Sequence, residues 1–129
     1  MIFSVGTNDI RRKSNGVSGL FYPLRDLLTK TRKLFPGAKI FVQAVIPIGF
    51  EYKWTAGNVL DFNEIQRRCV REIPNCSYID VLDYFLDRRQ QYPVRSLFRD
   101  TIHPSPKGCA ILARAFIRVA RDRNFDVRL

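Results

Sequence analysis

Asp100 and His103 stand three residues apart in the run Arg-Asp-Thr-Ile-His-Pro-Ser-Pro-Lys-Gly, and His103 is the single histidine of the chain. That spacing lets a carboxylate accept the Nδ1 proton of the imidazole and hold the ring with Nε2 facing a nucleophile. A second segment lies near the start: Ile2-Phe3-Ser4-Val5 reads as a strand, and Gly6-Thr7-Asn8-Asp9 as a sharp turn behind it. Taken in this order and at this distance, the two segments point to an acyl-ester hydrolase site.

The elements between them read as alternating strands and helices. Met1–Val5 is a short apolar run of the kind buried on both faces of a parallel sheet. Leu20, Leu24, Leu27, Leu28 and Leu34 follow helical spacing, with Lys30, Arg32 and Lys33 in the last turns, where cations suit the helix dipole, and Pro36-Gly37 as the stop. Residues 39–46 predict a second strand, and 48–57 a loop rich in aromatic side chains (Phe50, Tyr52, Trp54). Val59, Leu60, Phe62, Ile65, Cys69 and Val70 predict a helix closed by Pro74-Asn75, and 77–81 a third strand. Residues 82–99 are mixed in character. Ser105-Pro106 gives an N-cap and a proline at the first helical position, opening a helix to about Arg123 that buries Ile111, Leu112, Ala115, Phe116, Val119 and Ala120. This order predicts an α/β domain with a parallel sheet. In such sheets reactive groups gather beyond the carboxyl ends of the strands, which places both segments on one edge.

A chain of 129 residues is one domain with enough apolar residues for a core, and without repeats or an internal linker. No stretch reaches the roughly 20 apolar residues needed to span a bilayer, and no secretory leader is visible, which points to an intracellular location. Cys69, Cys76 and Cys109 are odd in number and without CxxC spacing, so they read as buried free thiols rather than a disulfide framework. One histidine and scattered cysteines build no metal site, and the chemistry requires no organic cofactor.

The quoted residues resemble the SGNH (GDSL-type) hydrolases, a family of lipases, esterases and acetylhydrolases. The resemblance covers essentially the whole chain. It implies a flavodoxin-like three-layer α/β/α sandwich with a parallel sheet. Gly6, Asn8 and Asp9 match the family's Gly-x-Asn-Asp turn. Asp100 and His103 match its Asp-x-x-His motif, with the proline and Gly108 that follow. Asn63 falls where many members place an Asn in the helix after the fourth strand. The resemblance implies that the Asn8 amide donates to a developing oxyanion, a contribution of about 3–4 kcal/mol. It also implies His103 as general base and then general acid, Asp100 as its orienting partner, and a small ester as substrate. Read as structure alone, Asn8 is a turn cap, His103 an exposed loop residue, and Asp100 a surface carboxylate paired with Arg99 or Arg95. Gly6 then permits the tight turn and nothing more.

The family's nucleophile is a Ser in a Gly-Asp-Ser motif after the first strand, followed by a Gly donor after the second. No such segment precedes Gly6 here. Ser105 reads as a helix cap, and Ser4 as a strand residue facing a packed layer. Three readings compete. The chain is a piece of a longer esterase lacking its N-terminal strand–helix–strand segment; or it has lost catalysis and binds something such as nucleic acid, in the manner of a retroelement-derived module; or a partner chain supplies the serine. On the first reading this chain alone is inactive. Its first strand is then an exposed edge, prone to self-association and to marginal stability.

The formal charge is +10 with a pI near 10.1. Residues 1–50 carry eight Lys/Arg against two acids, a net of +6; residues 51–100 balance at eight against eight; residues 101–129 carry six against two, a net of +4. Such a field attracts polyanions, nucleic acid or an anionic surface among them; a basic but idle surface is the alternative. Arg114, Arg118 and Arg121 share one helical face, Arg67, Arg68 and Arg71 form a smaller cluster, and Arg11-Arg12-Lys13 follows the Asn8 turn. Aromatic residues that would stack bases are not interleaved with these cations in the sequence.

Overall fold

A computed structural model of the chain describes residues 1–11, 15–48, 52–89 and 92–125, the side chains of 52–54 excepted. Its elements are β1 (Ile2–Phe3), α1 (Thr7–Arg11), α2 (Phe21–Leu34), β2 (Ile40–Gln43), α3 (Tyr52–Glu72), β3 (Cys76–Ile79) and α4 (Pro106–Asp122), with single 3-10 turns at Ser18–Leu20, Leu82–Phe85 and Arg95–Leu97. The three strands are parallel in the order β1-β2-β3.

Side chains alternate across β2 and divide the core in two. Ile40 and Val42 face a cluster built from Leu24 and Leu28 of α2 with Val59, Phe62, Ile65 and Cys69 of α3. Phe41 faces the opposite way, into a cluster with Ile79, Phe85 and the inner side of α4. There it meets Phe116 edge-on, with ring centroids 5.1 Å apart. Helices therefore cover both faces of the sheet, the three-layer arrangement predicted above. Full burial of a side chain the size of Phe41 contributes about 1.5–3 kcal/mol. A middle strand buried on both faces thus needs the near-continuous apolar run that the sequence supplies.

Several boundaries differ from expectation. The first strand is two residues long rather than five, because the chain turns at Ser4 toward Gly6. Strand β2 ends at Gln43; residues 44–48 stay buried without strand pairing. The segment expected as a loop becomes helical at Tyr52, so α3 is 21 residues long; Phe50 lies outside the described residues. Leu27, Leu34 and Leu60 face outward rather than into the core. In α4 only Ala120 of the expected apolar face is fully buried, the others being half-buried. All three cysteines are free, but Cys109 is exposed, Cys76 half-buried and only Cys69 buried. Among the described residues, no helix is long and apolar enough to cross a membrane.

At the amino ends of the strands, Arg32 gathers five carbonyls. Its Nη1 donates to the oxygens of Phe35, Pro36 and Ala38 at 2.7–3.0 Å, its Nε to Pro74 at 3.0 Å, and its Nη2 to Asn75 at 3.2 Å. The planar guanidinium fork thus fastens the segment entering β2 to the one entering β3. Asn75, at φ 53°, makes the left-handed turn between α3 and β3.

Candidate active site

The carboxyl ends of β1 and β2 are held from α3 by two buried amides one helical turn apart. Asn63 accepts from the Val45 N–H through Oδ1 at 2.8 Å and donates from Nδ2 to the Val45 carbonyl at 3.1 Å. Gln66 donates from Nε2 to the carbonyls of Gln43 at 3.3 Å and Val5 at 3.5 Å, and its Oε1 is left without a partner. Asn63 therefore has a fixing role: it satisfies both backbone hydrogen-bonding groups of Val45, a buried residue outside any strand.

Gly6 makes the turn after β1 at φ 111°, a region that L side chains rarely adopt, and a Cβ there would collide with the Phe62 ring. Its carbonyl accepts from Ile10 N at 2.9 Å and so opens α1. Asp9 falls in the first turn of α1, where a carboxylate suits the helix dipole. Asn8 is exposed beside Thr7. Arg11 is exposed in the last residue of α1; Arg12 and Lys13 lie outside the described residues.

The second segment closes on itself. Arg99 N donates to His103 O at 2.9 Å and Ser105 N to Leu97 O at 2.8 Å, and Phe98 and Pro104 form an antiparallel bridge. Ser105 caps α4, its Oγ accepting from Gly108 N at 3.2 Å and donating to Ser96 O at 2.8 Å. Gly108 lets the loop close: a Cβ there would strike the Leu97 carbonyl and come within 3.0 Å of the Pro104 Cβ.

Within this loop Asp100 uses both carboxylate oxygens. Oδ1 accepts from the backbone N–H of Ile102 at 2.9 Å and of His103 at 2.8 Å, while Oδ2 lies 2.7 Å from His103 Nδ1. The two backbone donors, and after them the imidazole, hold the Asp100 carboxyl well below the usual carboxylate range. An ionised carboxylate only accepts, so the proton shared at 2.7 Å belongs to Nδ1. In the neutral imidazole Nε2 is then the bare nitrogen, able to take a proton. The pair is about half exposed, where Coulomb attraction is screened, so its effect is to orient the ring.

His103 opens on a cleft of about 200 Å³ that the turn after β1 lines from the other side through Ser4, Val5 and Thr7. Residues 43–46 form its floor, and Ile102, Pro104 and Leu112 close the wall. The structure brings the two motif segments to one cleft through Thr7 and His103; the Asn8 side chain is not among its lining residues. Ser4 is a correction. With β1 ending at Phe3, its side chain faces this cleft rather than a packed layer, and its Oγ accepts from Gln43 Nε2 at 3.2 Å. Gln43, Gln66 and the fixing role of Asn63 were not singled out from the sequence. Polar side chains inside the apolar stretches of 40–46 and 59–70 were the available signal.

The cationic clusters separate. Arg67 bonds Asp80 at 2.8 Å and Glu64 at 3.4 Å, Arg71 bonds Glu64 at 3.3 Å, and Arg68 stacks on the Phe21 ring, so this cluster is neutralised or packed. Arg114, Arg118 and Arg121 are exposed on α4.

Comparison with known proteins gives a consistent picture. The esterase domain of the ORF1 protein from the zebrafish ZfL2-1 retrotransposon superposes with a TM-score of 0.67 at 25% identity, over 92% of this chain and 70% of that one. An acetylxylan esterase from Geobacillus stearothermophilus superposes at 0.75 with 23% identity, over 98% of this chain. A carbohydrate esterase of family 3 from Talaromyces cellulolyticus superposes at 0.65 with 20% identity, over 94%. The chain spans only 61% and 58% of the last two. No curated protein matches it. The GDSL-like Lipase/Acylhydrolase family model matches residues 1–111, most of the chain. The chain therefore belongs to the GDSL-like lipase/acylhydrolase family, the SGNH hydrolases, and has their α/β fold.

Proposed function

We propose that these residues carry the proton-handling part of a serine esterase that cleaves small carboxylic esters, acetyl esters among them. His103 Nε2 removes the proton of an attacking serine hydroxyl as the hydroxyl oxygen bonds to the ester carbonyl carbon. The imidazolium, steadied by Asp100, then gives that proton to the departing alcohol as the ester C–O bond breaks. Water repeats the sequence on the acyl-enzyme and releases the acid. The family resemblance gives Asn8, which adjoins the cleft-lining Thr7 without itself lining the cleft, the role of donating its amide N–H to the carbonyl oxygen while that oxygen carries negative charge. The observation that carries this reading is the 2.7 Å bond between Asp100 and His103 Nδ1, made by a carboxylate already fixed by two backbone donors.

The sequence contains no Gly-Asp-Ser, and among the described residues the His103 ring bonds Asp100 and no serine. In this reading the nucleophile comes from a Gly-Asp-Ser segment outside these 129 residues. The test is a reading frame extended upstream to encode that segment, assayed on p-nitrophenyl acetate. His103→Ala in the extended protein is expected to lose about 10³-fold or more in kcat, while the 129 residues alone stay at background. Undiminished turnover by the extended His103→Ala variant, or His103-dependent turnover by the 129 residues alone, overturns it.

A further inference from the structure

Tyr84 ends up against α4, on a part of the surface separate from the His103 cleft. The Leu82–Phe85 turn packs beside α4 and leaves a groove of about 220 Å³ lined by Tyr84, Ile111, Arg114, Ala115 and Arg118. Arg118 Nη1 donates to the Tyr84 hydroxyl at 3.2 Å, and the Tyr84 ring is 47% exposed. Aromatic and cation, not interleaved in the sequence, are adjacent in space.

We propose that this groove is a binding site for single-stranded nucleic acid, with one base stacked on Tyr84 and the flanking phosphates on the α4 arginines. Three observations carry it. First, Lys107, Arg114, Arg118 and Arg121 project within one narrow arc of α4, at i, i+7, i+11 and i+14; at 1.5 Å per residue they line a stripe of about 21 Å, enough for several phosphates. Second, no carboxylate pairs with the four cations of the stripe among the described residues, whereas Arg25, Lys30, Arg67 and Arg71 are neutralised by carboxylates at 2.7–3.4 Å. Third, the groove has an apolar floor and an aromatic wall, which suits a base and adds nothing for a bare anion. Asp83 and Asp122 lie on the turn and the helix that border the groove and reduce the positive field at its edges without pairing with the stripe. A groove of this volume admits one unstacked base and excludes a duplex whose bases are turned inward. A flat anionic membrane would meet the arginines and leave the aromatic wall unused.

The test is fluorescence anisotropy of a labelled 12-nucleotide oligouridine with the chain. Duplex RNA of the same length and vesicles of phosphatidylcholine with one-quarter phosphatidylserine are the other arms. Three or four neutralised phosphates predict a slope of log K on log[salt] of about −2 to −3, a loss of roughly 20- to 50-fold between about 50 and 200 mM salt. Replacing Arg114, Arg118 and Arg121 together by Gln brings the slope to about −0.7; if that variant fails to fold, each single replacement is expected to change it by about 0.7. Tyr84→Ala weakens binding by about tenfold, and Tyr84→Phe keeps most of it. Lys30→Ala with Lys33→Ala, on α2, leaves the affinity within about twofold. The proposal fails if the oligomer is not bound at about 50 mM salt, or if the α2 variant loses as much as the α4 variant. It also fails if Tyr84→Ala binds normally, or if duplex or vesicles are preferred to the oligomer.

Discussion

Asn63→Ala and Asn63→Asp together test whether the segment under the cleft is held by one amide. Asn63 is 1% exposed and Val45 4% exposed, so water does not replace lost bonds there. Alanine removes both partners of Val45 and leaves a buried N–H and a buried C=O unsatisfied, at about 1–3 kcal/mol each, for an expected loss near 4 kcal/mol. Aspartate keeps the acceptor for Val45 N but turns an anionic oxygen toward the Val45 carbonyl. Burial and that carbonyl raise the introduced carboxyl's native pKa above its unfolded value of about 3.9. A raised native pKa means that stability is present at low pH and lost as pH rises through it. Protonated, the same group donates O–H to Val45 O and restores the pattern. Asn63→Asp should therefore match the alanine variant at about pH 7.5 and recover up to about 3 kcal/mol at about pH 5, while the parent changes little. Urea unfolding followed by circular dichroism at the two pH values reads this directly. An alanine variant that loses less than about 1 kcal/mol, or an aspartate variant equally stable at both, would refute the clamp.

Gly6→Ala combines a positive φ with a Cβ driven into Phe62 and should cost about 2–5 kcal/mol in urea unfolding; a variant within about 1 kcal/mol of the parent contradicts the turn geometry. Asp100 has a depressed native pKa, so its contribution is present above the ordinary carboxylate value and is lost only as pH falls through the lower native one; carboxyl carbon NMR should find it still ionised at about pH 3, and a normal titration would remove the two backbone donors from the account. Asp100→Asn should shift the neutral imidazole proton from Nδ1 to Nε2, visible in the ring nitrogen shifts, and an unchanged tautomer speaks against the orienting role. Iodoacetamide at about pH 8 should label exposed Cys109 first and spare buried Cys69 and half-buried Cys76, the latter's thiol pushed up to about 11 by desolvation; the reverse order would be inconsistent with this packing.

The strand–helix alternation is legible because β2 is buried on both faces, and residues 40–46 are apolar but for Gln43. The Asp100–His103 pair was legible for a local reason: three residues of loop carry all the geometry. What lay hidden was non-local or set by context. The start of α3 at Tyr52 falls in a segment that reads as an aromatic-rich loop, because Tyr52, Trp54 and Gly57 carry weak helical preference and give no start signal. Ser4 lies past the end of β1, which stops two residues early, so the alternation of strand faces no longer governs its surroundings. The Arg67 ion pair with Asp80, like the meeting of Tyr84 with Arg118, joins segments from different elements, an adjacency set by the fold.

The five carbonyls gathered by Arg32 lie at the amino ends of β2 and β3, while His103 and the turn at Gly6 lie at the opposite edge. Anchorage and chemistry are thereby segregated to opposite poles of the domain. Residues lining the cleft can be exchanged without disturbing the knot that secures the strand entries, so the two poles can be altered independently. Lysine in place of Arg32, although it conserves charge, would untie the knot itself.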